Sequence, residues 1–215
     1  ADGIWVSKIS SVHFAATSFV FPVAFLFISL GIGISIAGTS ILSQLIGASD
    51  YEEAEEYATQ ITIISLLVSV LFSALGYILS PFVIRMMGAA GALEEYSNIY
   101  LKITFLDMPF MFMFFVFNSI MNAQGNTVMP TILSGISAAL NVILDPVFIF
   151  TFDMGIAGAA VATLISKALL AVAGFFILMR SSDLVKPKFS NFKFNKNIVK
   201  KVFKVGLPSS IGQSG

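Results

Sequence analysis

Long apolar runs separated by short polar segments make up most of this chain. A membrane-spanning helix needs about 20 predominantly apolar residues, and five segments reach that length, at about 14–46, 58–84, 99–121, 129–150 and 156–179. Another apolar segment begins near Val202. Gly-rich, acidic or turn-forming residues occupy the gaps, including the turn cluster 122–127. The pattern predicts an all-α fold, a polytopic transmembrane helix bundle.

Composition agrees with this fold and excludes several functions. Only 11% of the residues are charged, against about 25% in a soluble domain. Net charge is zero, so no basic excess indicates a nucleic acid partner. The absence of Cys excludes disulfides and thiolate metal sites. One His, no Cys and no nucleophile-elbow or zinc-peptidase motif argue against an enzyme, and we expect no cofactor.

Orientation follows from the positive charges. Eight of the twelve Lys and Arg residues lie between Arg180 and Lys204, and cytoplasmic loops carry such an excess. Counting back through the spans, segments 47–57 and 122–127 are also cytoplasmic, and 87–97 is outside. The acidic run 50–56 is interpreted as a solvated helix start.

Ionisable residues inside spans are costly and usually functional. Asp145 is the strongest candidate, because Asn141 lies one turn earlier on the same face and Pro146 breaks the helix directly after it. Small and polar residues continue that face towards the start of the span, at Thr131, Ser134 and Ala138. A carboxylate there could gain and lose a proton. The structural alternative is an Asp that only satisfies the broken helix.

A second group follows the preceding span at spacings of seven, four, three and four residues, on one helical face: Tyr100, Asp107, Met111, Phe114 and Asn118. Such a face suits the wall of a cavity for apolar ligands, because Met and aromatic side chains adapt to varied shapes. Ordinary interhelical packing is the alternative.

The last complete span carries Thr163 and Lys167 on one face. Thr163 and Asp145 lie at similar depth and could meet, and Lys167 could pair with a carboxylate for structural or mechanistic reasons. Lys102 is expected to extend to the outer interface. Glycines such as Gly31, Gly38 and those of 155–158 are expected to allow close helix packing.

Several stretches resemble the multidrug and toxic compound extrusion (MATE) transporters. The most specific is Leu140-Asn-Val-Ile-Leu-Asp-Pro-Val-Phe-Ile-Phe150 followed by Gly155-Ile-Ala-Gly-Ala-Ala-Val-Ala-Thr163. Others are Ala1-Asp-Gly-Ile-Trp-Val6, Leu30-Gly-Ile-Gly-Ile-Ser35, Ile41-Leu-Ser-Gln-Leu-Ile-Gly-Ala48, Ala123-Gln-Gly-Asn126 with Met129-Pro130, and Val205-Gly-Leu-Pro208. The Asp-Pro form of the fifth helix is similar to the DinF-like branch, particularly its archaeal proton-coupled members.

The resemblance implies twelve helices in two six-helix lobes around a central cavity. This chain is then expected to hold the N-terminal lobe without most of its first helix, over residues 1–180. Residues 181–201 are a cytoplasmic linker between the lobes, and 202–215 begin the seventh helix. The partners implied are the C-terminal lobe of the same transporter, the lipid bilayer and drug-like small molecules.

The resemblance also implies a proton site made by Asp2 and Asp145, accompanied by Asn141, Thr163 and Tyr100. Asn118, Met111 and Phe114 are candidates for the substrate cavity, while Asp107 and Lys167 have no role in the pattern. The expected function is multidrug efflux across the cell membrane by antiport of H⁺ or Na⁺ with amphipathic, often cationic compounds. No metal is expected except Na⁺ at Asp2 and Asp145. The alternatives are a flippase for lipid-linked saccharides and a non-transport membrane subunit.

Overall fold

The computed structural model describes residues 2–181, 185–190, 192–202, 204 and 208. Within them the chain forms a helical bundle in which five helices are long and apolar enough to cross a membrane. The elements are α1 (Asp2–Val6), α2 (Ser11–Gly47), α3 (Tyr51–Met86), α4 (Ala92–Ala123), α5 (Val128–Pro146), a π-helical segment (Val147–Thr151) and α6 (Gly155–Arg180). Most of the predicted start of a seventh helix, at 202–215, lies outside the described residues.

The helices extend beyond the apolar spans because polar residues begin them. The side chain of Asp50 accepts a hydrogen bond from the backbone N–H of Glu53 (3.1 Å), which caps α3. Glu52 and Glu53 occupy the first turn, where negative charge is favourable. Most of the acidic run is therefore the start of a helix, as its composition predicted.

Helix α4 is the centre of the bundle and packs against α2, α3 and α6. Its buried side chains belong to two hydrophobic clusters. One contains Phe105 and Phe112 together with Val20 of α2, and the other contains Phe117 and Ile120. Helix α5 packs mainly on α6 and buries few of its own residues. The α5 face opposite α6 is therefore open in this lobe.

Two of the predicted small residues, Gly38 and Gly158, lie where helices approach closely. A Cβ atom added to Gly38 would stand 2.7 Å from Ile61 of α3 and from Ser119 of α4. One added to Gly158 would stand 2.6 Å from the backbone carbonyl carbon of Phe148. Gly155 serves a different purpose, since its φ of 54° places the first residue of α6 in the left-handed conformation, which glycine adopts readily.

The break predicted at Pro146 takes the form of a change in helix type. Pro146 has no backbone N–H, so the carbonyl of Val142 loses its helical partner. After Pro146 the chain continues through a π-helical segment, in which the backbone N–H of Phe152 bonds to the carbonyl of Val147 (3.0 Å). This segment packs on α6 at Gly158.

The described part of the segment after α6 lies against the ends of α3 and α4. Gln124 bonds both backbone groups of Val185 (2.9 and 3.1 Å), and Thr59 accepts a hydrogen bond from the backbone N–H of Lys188 (2.8 Å). Lys188 also pairs with Glu55 (2.5 Å). The segment therefore lies at the same end of the bundle as 47–57 and 122–127, in agreement with the predicted relative orientation.

We expect Gly158→Ala to lower the melting temperature of the full-length protein in detergent by several degrees. The added methyl group would meet backbone atoms of Phe148 that cannot rotate away, and such overpacking costs about 1–3 kcal/mol. Gly135→Ala is the matched control, since it lies within α5 with no heavy atom within 4 Å of the new Cβ. Both changes gain the same helix propensity, so equal melting temperatures would contradict close packing at Gly158.

Candidate functional site

One oxygen of Asp2 joins three helices. The hydroxyl of Tyr100, on α4, donates a hydrogen bond to Oδ2 of Asp2 (2.8 Å). The hydroxyl of Thr163, on α6, donates to the same oxygen (2.9 Å). Asp2 lies in the first turn of α1, so a single carboxylate links α1 by hydrogen bonds to both α4 and α6, beside the apolar packing of Val6 against Ile156 and Ala159.

Asp145 joins the same network through Asn141. The side-chain amide nitrogen of Asn141 donates to Oδ1 of Asp145 (3.1 Å) and to Oγ1 of Thr163 (3.0 Å). Asn141 and Asp145 are neighbours because residues four apart share a helix face. The structure thus brings together all five residues of the predicted ion site, in the order Asp145, Asn141, Thr163, Asp2 and Tyr100.

The Asp145 carboxylate is fully buried, with a relative exposure of 0%. Its Oδ1 accepts the bond from Asn141, while its Oδ2 has no hydrogen-bond partner. Among the described residues, no Lys or Arg forms an ion pair with either Asp2 or Asp145. A buried carboxylate without a counter-ion is stable only when a proton or a bound cation neutralises it. The site is therefore chemically suited to bind one.

Asp107 and Lys167 form a second polar contact deeper in the bundle. The ammonium group of Lys167, on α6, lies 2.7 Å from Oδ2 of Asp107, on α4. Asp107 is 2% exposed, and its other carboxylate oxygen has no partner. The sequence predicted that Lys167 could pair with a carboxylate but did not identify which. The sequence contained information on this pairing. Asp107 and Lys167 lie at similar distances from the starts of α4 and α6, and these two helices run in the same direction, so the two side chains are at similar depth.

The predicted cavity face of α4 is only partly open. Met111 is 8% exposed and belongs to the packing between α2 and α4. Phe114 is half-buried against the cluster around Phe117, and Asn118 accepts a hydrogen bond from Asn122 (2.8 Å). Met111 therefore lies where interhelical packing would place it, and contact of these three residues with a substrate stays a prediction.

The expected polar face of α5 changes character along its length. Thr131, Ser134 and Ala138 are exposed, whereas Asn141 is half-buried and Asp145 is buried. Sequence reasoning missed Ser137, whose hydroxyl donates to the backbone carbonyl of Ser166 on α6 (3.1 Å).

Lys102, on α4, lies over the ring of Tyr77 on α3, and its ammonium nitrogen is 5.4 Å from the ring centroid.

The fold and the site define a class of protein. The chain is a multi-pass α-helical membrane protein in which one hydrogen-bond network joins the carboxylates of Asp2 and Asp145 where α1, α4, α5 and α6 converge. Intramembrane carboxylates of this kind mark ion and substrate pathways.

Comparison with known proteins identifies the family. The MatE family model matches residues 1–147 of the chain, and the chain belongs to this family. Members of the family are transporters rather than enzymes. Assignment to the DinF-like branch and to an archaeal source stays a prediction.

Individual relatives agree. The multidrug export protein MepA of Staphylococcus aureus (strain bovine RF122 / ET3-1) is 34% identical over 200 residues, which cover 91% of this chain and 43% of that protein. A crystal structure of MATE in the bent conformation superimposes with a TM-score of 0.94 at 30% identity and covers 99% of this chain and 48% of its own. A transporter of the MOP superfamily from Pyrococcus furiosus, described as having a binding pocket of reverse polarity, gives a TM-score of 0.93 at 30% identity, with 99% and 47% covered.

The chain spans about half the length of these relatives. Its helices match the N-terminal lobe of MATE structures, as the order of the motifs predicted.

We expect Tyr100→Phe to loosen the attachment of α1. The change removes one of two donors to Asp2 but keeps the ring, and a hydrogen bond to a charged group contributes about 1.5–3 kcal/mol. Trp5 lies on α1, so its emission should move to longer wavelength and become more accessible to acrylamide. The measurement uses the full-length protein, with the signal of Trp5 defined as what Trp5→Phe removes.

Tyr96→Phe is the control for this measurement. It makes the same change one turn earlier on α4, where the ring stacks on His13 at 3.9 Å and no hydroxyl contact to Asp2 exists. Identical Trp5 spectra for both variants would show that the Tyr100 hydroxyl does not hold α1.

Proposed function

We propose that the full-length protein is a multidrug exporter of the cell membrane, driven by the opposite movement of H⁺, and that Asp2 and Asp145 bind the coupling ion. The observation that carries the proposal is the buried Asp145 carboxylate, which has one unpartnered oxygen and a hydrogen-bond path to Asp2. The resemblance of the chain to multidrug export proteins supports the transport of drugs.

Protonation would act through the hydrogen bonds to Asp2. When Asp2 is ionised, its Oδ2 accepts bonds from Tyr100 and Thr163 and holds α1 against α4 and α6. Protonation makes that oxygen a weaker acceptor, because hydrogen bonds to charged groups are stronger than those to neutral ones. The position of α1 would then differ between the two states, and a substrate that binds one state better would be coupled to the proton.

The hydrogen bonds favour H⁺ over Na⁺ as the coupling ion. Asn141 directs its amide NH₂, rather than its carbonyl oxygen, towards Asp145 and Thr163. A sodium ion is bound by oxygen atoms, so Asn141 could contribute its carbonyl oxygen to one only if this amide turned over. A proton on a carboxylate requires no such change.

Substrates would be amphipathic and often cationic. They would bind in a central cavity that the second lobe closes. Asn118, with Met111 and Phe114, would form part of the wall contributed by this lobe. The segment 181–201 would link the lobes on the cytoplasmic side, as its positive charge indicates. The C-terminal lobe would supply the opposite wall.

A flippase for lipid-linked saccharides is the second candidate, but the charges of this lobe disfavour it. A pyrophosphate group would require free cations within the cavity. Lys167 is the deep cation among the described residues, and it pairs with Asp107 at 2.7 Å. The buried acidic groups of the lobe suit a cationic ligand better.

The test is ethidium efflux by the full-length protein in proteoliposomes, with a pH gradient or a sodium gradient imposed separately. We expect efflux to follow the pH gradient and to fall at least about tenfold in Asp145→Asn, since an amide cannot exchange a proton at this position.

Asp153→Asn is the matched control for Asp145→Asn, because it makes the same substitution at an exposed turn beyond the π-helical segment. We expect it to transport like the wild type. Unchanged proton-driven efflux in Asp145→Asn would refute the role of Asp145, and efflux driven only by sodium would refute the choice of ion.

A further inference from the structure

The Asp107–Lys167 pair joins the same two helices as the Asp2 network, at a second level. Lys167 follows Thr163 by four residues on α6, which places it one helical turn, about 6 Å, further along the axis. Asp107 follows Tyr100 by seven residues on α4, about two turns away. Tyr100 and Thr163 are the two donors to Asp2. The ion pair therefore lies directly beyond the carboxylate site.

Lys167 is within reach of the carboxylates of that site. Side chains four residues apart on a helix lie about 5–6 Å from one another at Cβ, and helical side chains in general lean towards the helix start, which for Lys167 is the direction of Thr163. The lysine stem is a flexible four-carbon chain. Lys167 is also 28% exposed, so its stem is not held on all sides. The contact that retains its ammonium group is the bond to Asp107.

The other charged groups around Asp2 do not replace Lys167 as a counter-ion. Lys8 places its ammonium group over the ring of Trp5, 4.2 Å from the centroid. His13, at the start of α2, stacks on Tyr96 and contacts Ser10. Lys102, on α4, lies over the ring of Tyr77. The titratable groups on the elements packed around Asp2 thus include Lys8 on the α1 side, His13 on α2, Tyr96, Tyr100, Lys102 and Asp107 on α4, Asp145 on α5, and Lys167 on α6.

We infer that Asp107 determines the ion coupling of the transporter by holding Lys167 away from Asp2 and Asp145. An ammonium group tethered one turn from Thr163 would neutralise these carboxylates and compete with the coupling ion. Asp107 prevents the competition by binding the lysine, although it does not contact the coupling ion. This inference rests on the proposed function of Asp2 and Asp145 as the ion site.

A consequence distinguishes this role from that of an ordinary structural ion pair. Removal of Asp107 alone releases Lys167 towards the site and should abolish coupling. Removal of both charges leaves no competing cation, so coupling should return. A pair that only fastens α4 to α6 predicts a different result for Lys167→Gln. That variant breaks the contact and leaves Asp107 unpaired, so a structural role predicts loss of efflux. The competition described above predicts that Lys167→Gln keeps its coupling, since no competing cation remains.

The experiment measures ethidium efflux driven by a pH gradient in proteoliposomes of the full-length protein, for the wild type, Asp107→Asn, Lys167→Gln and the double variant. We expect the rate of proton-driven ethidium efflux to fall at least about tenfold in Asp107→Asn. Its pH midpoint should move down by about one unit, the shift expected for one added positive charge about 10 Å away at an effective dielectric constant of about 20. The double variant should return to within about twofold of the wild type in rate and match it in midpoint.

Lys167→Gln and the double variant keep the test valid if Asp107→Asn does not fold, since neither contains a released lysine. A tenfold loss in the double variant or in a folded Lys167→Gln would overturn the inference. So would a wild-type pH midpoint in a folded Asp107→Asn. Asp145→Asn is measured alongside to separate the two hypotheses. If the wild type shows no proton-driven efflux, the proposed function fails. If Asp145→Asn loses efflux while Asp107→Asn keeps it, only the role of Asp107 fails.

Discussion

Polar groups inside a membrane must find their partners within the protein, because lipid supplies no hydrogen bonds. In this lobe Asp2 and Asp145 have the greatest need for such partners, and one chain of hydrogen bonds provides them. Tyr100 and Thr163 converge on a single oxygen of Asp2, and Asn141 extends the chain to Asp145. This chain links α1 to α4 and α6 through polar groups, and it adds a polar connection to the packing of α5 on α6.

The rest of the bundle forms a frame for that network. Helix α4 packs on three neighbours through large aromatic side chains, and Gly158 lets the π-helical segment approach α6 closely. Asp107 and Lys167 connect α4 to α6 again at a greater depth. A change of charge at Asp2 would therefore act on the hydrogen bonds of α1 and leave the contacts within the frame unchanged. A rigid frame with a separate polar network suits a protein whose conformation changes when it binds an ion.

Much of this arrangement could be predicted from single residues and their spacing. The five spans follow from apolar length alone, and the partnership of Asn141 with Asp145 follows from a spacing of four. The choice of Asp2 and Tyr100 depended on resemblance to a family, since no local pattern connects residue 2 with residue 100. Met111 shows the limit of periodicity, because a helical face that suits a cavity wall equally suits a packed interface, and Met111 is buried in one.

The sequence by itself determined that this is a membrane bundle, where its helices lie, and that its buried charges are functional candidates, because the apolar solvent imposes length and polarity on each segment separately. Only the tertiary structure decided which charges meet. Asp107 pairs with Lys167 across 60 positions of the chain, and Thr163 reaches Asp2 across 161. Contacts between helices depend on their rotation and relative depth, which arise from packing around α4 and which no single helix encodes.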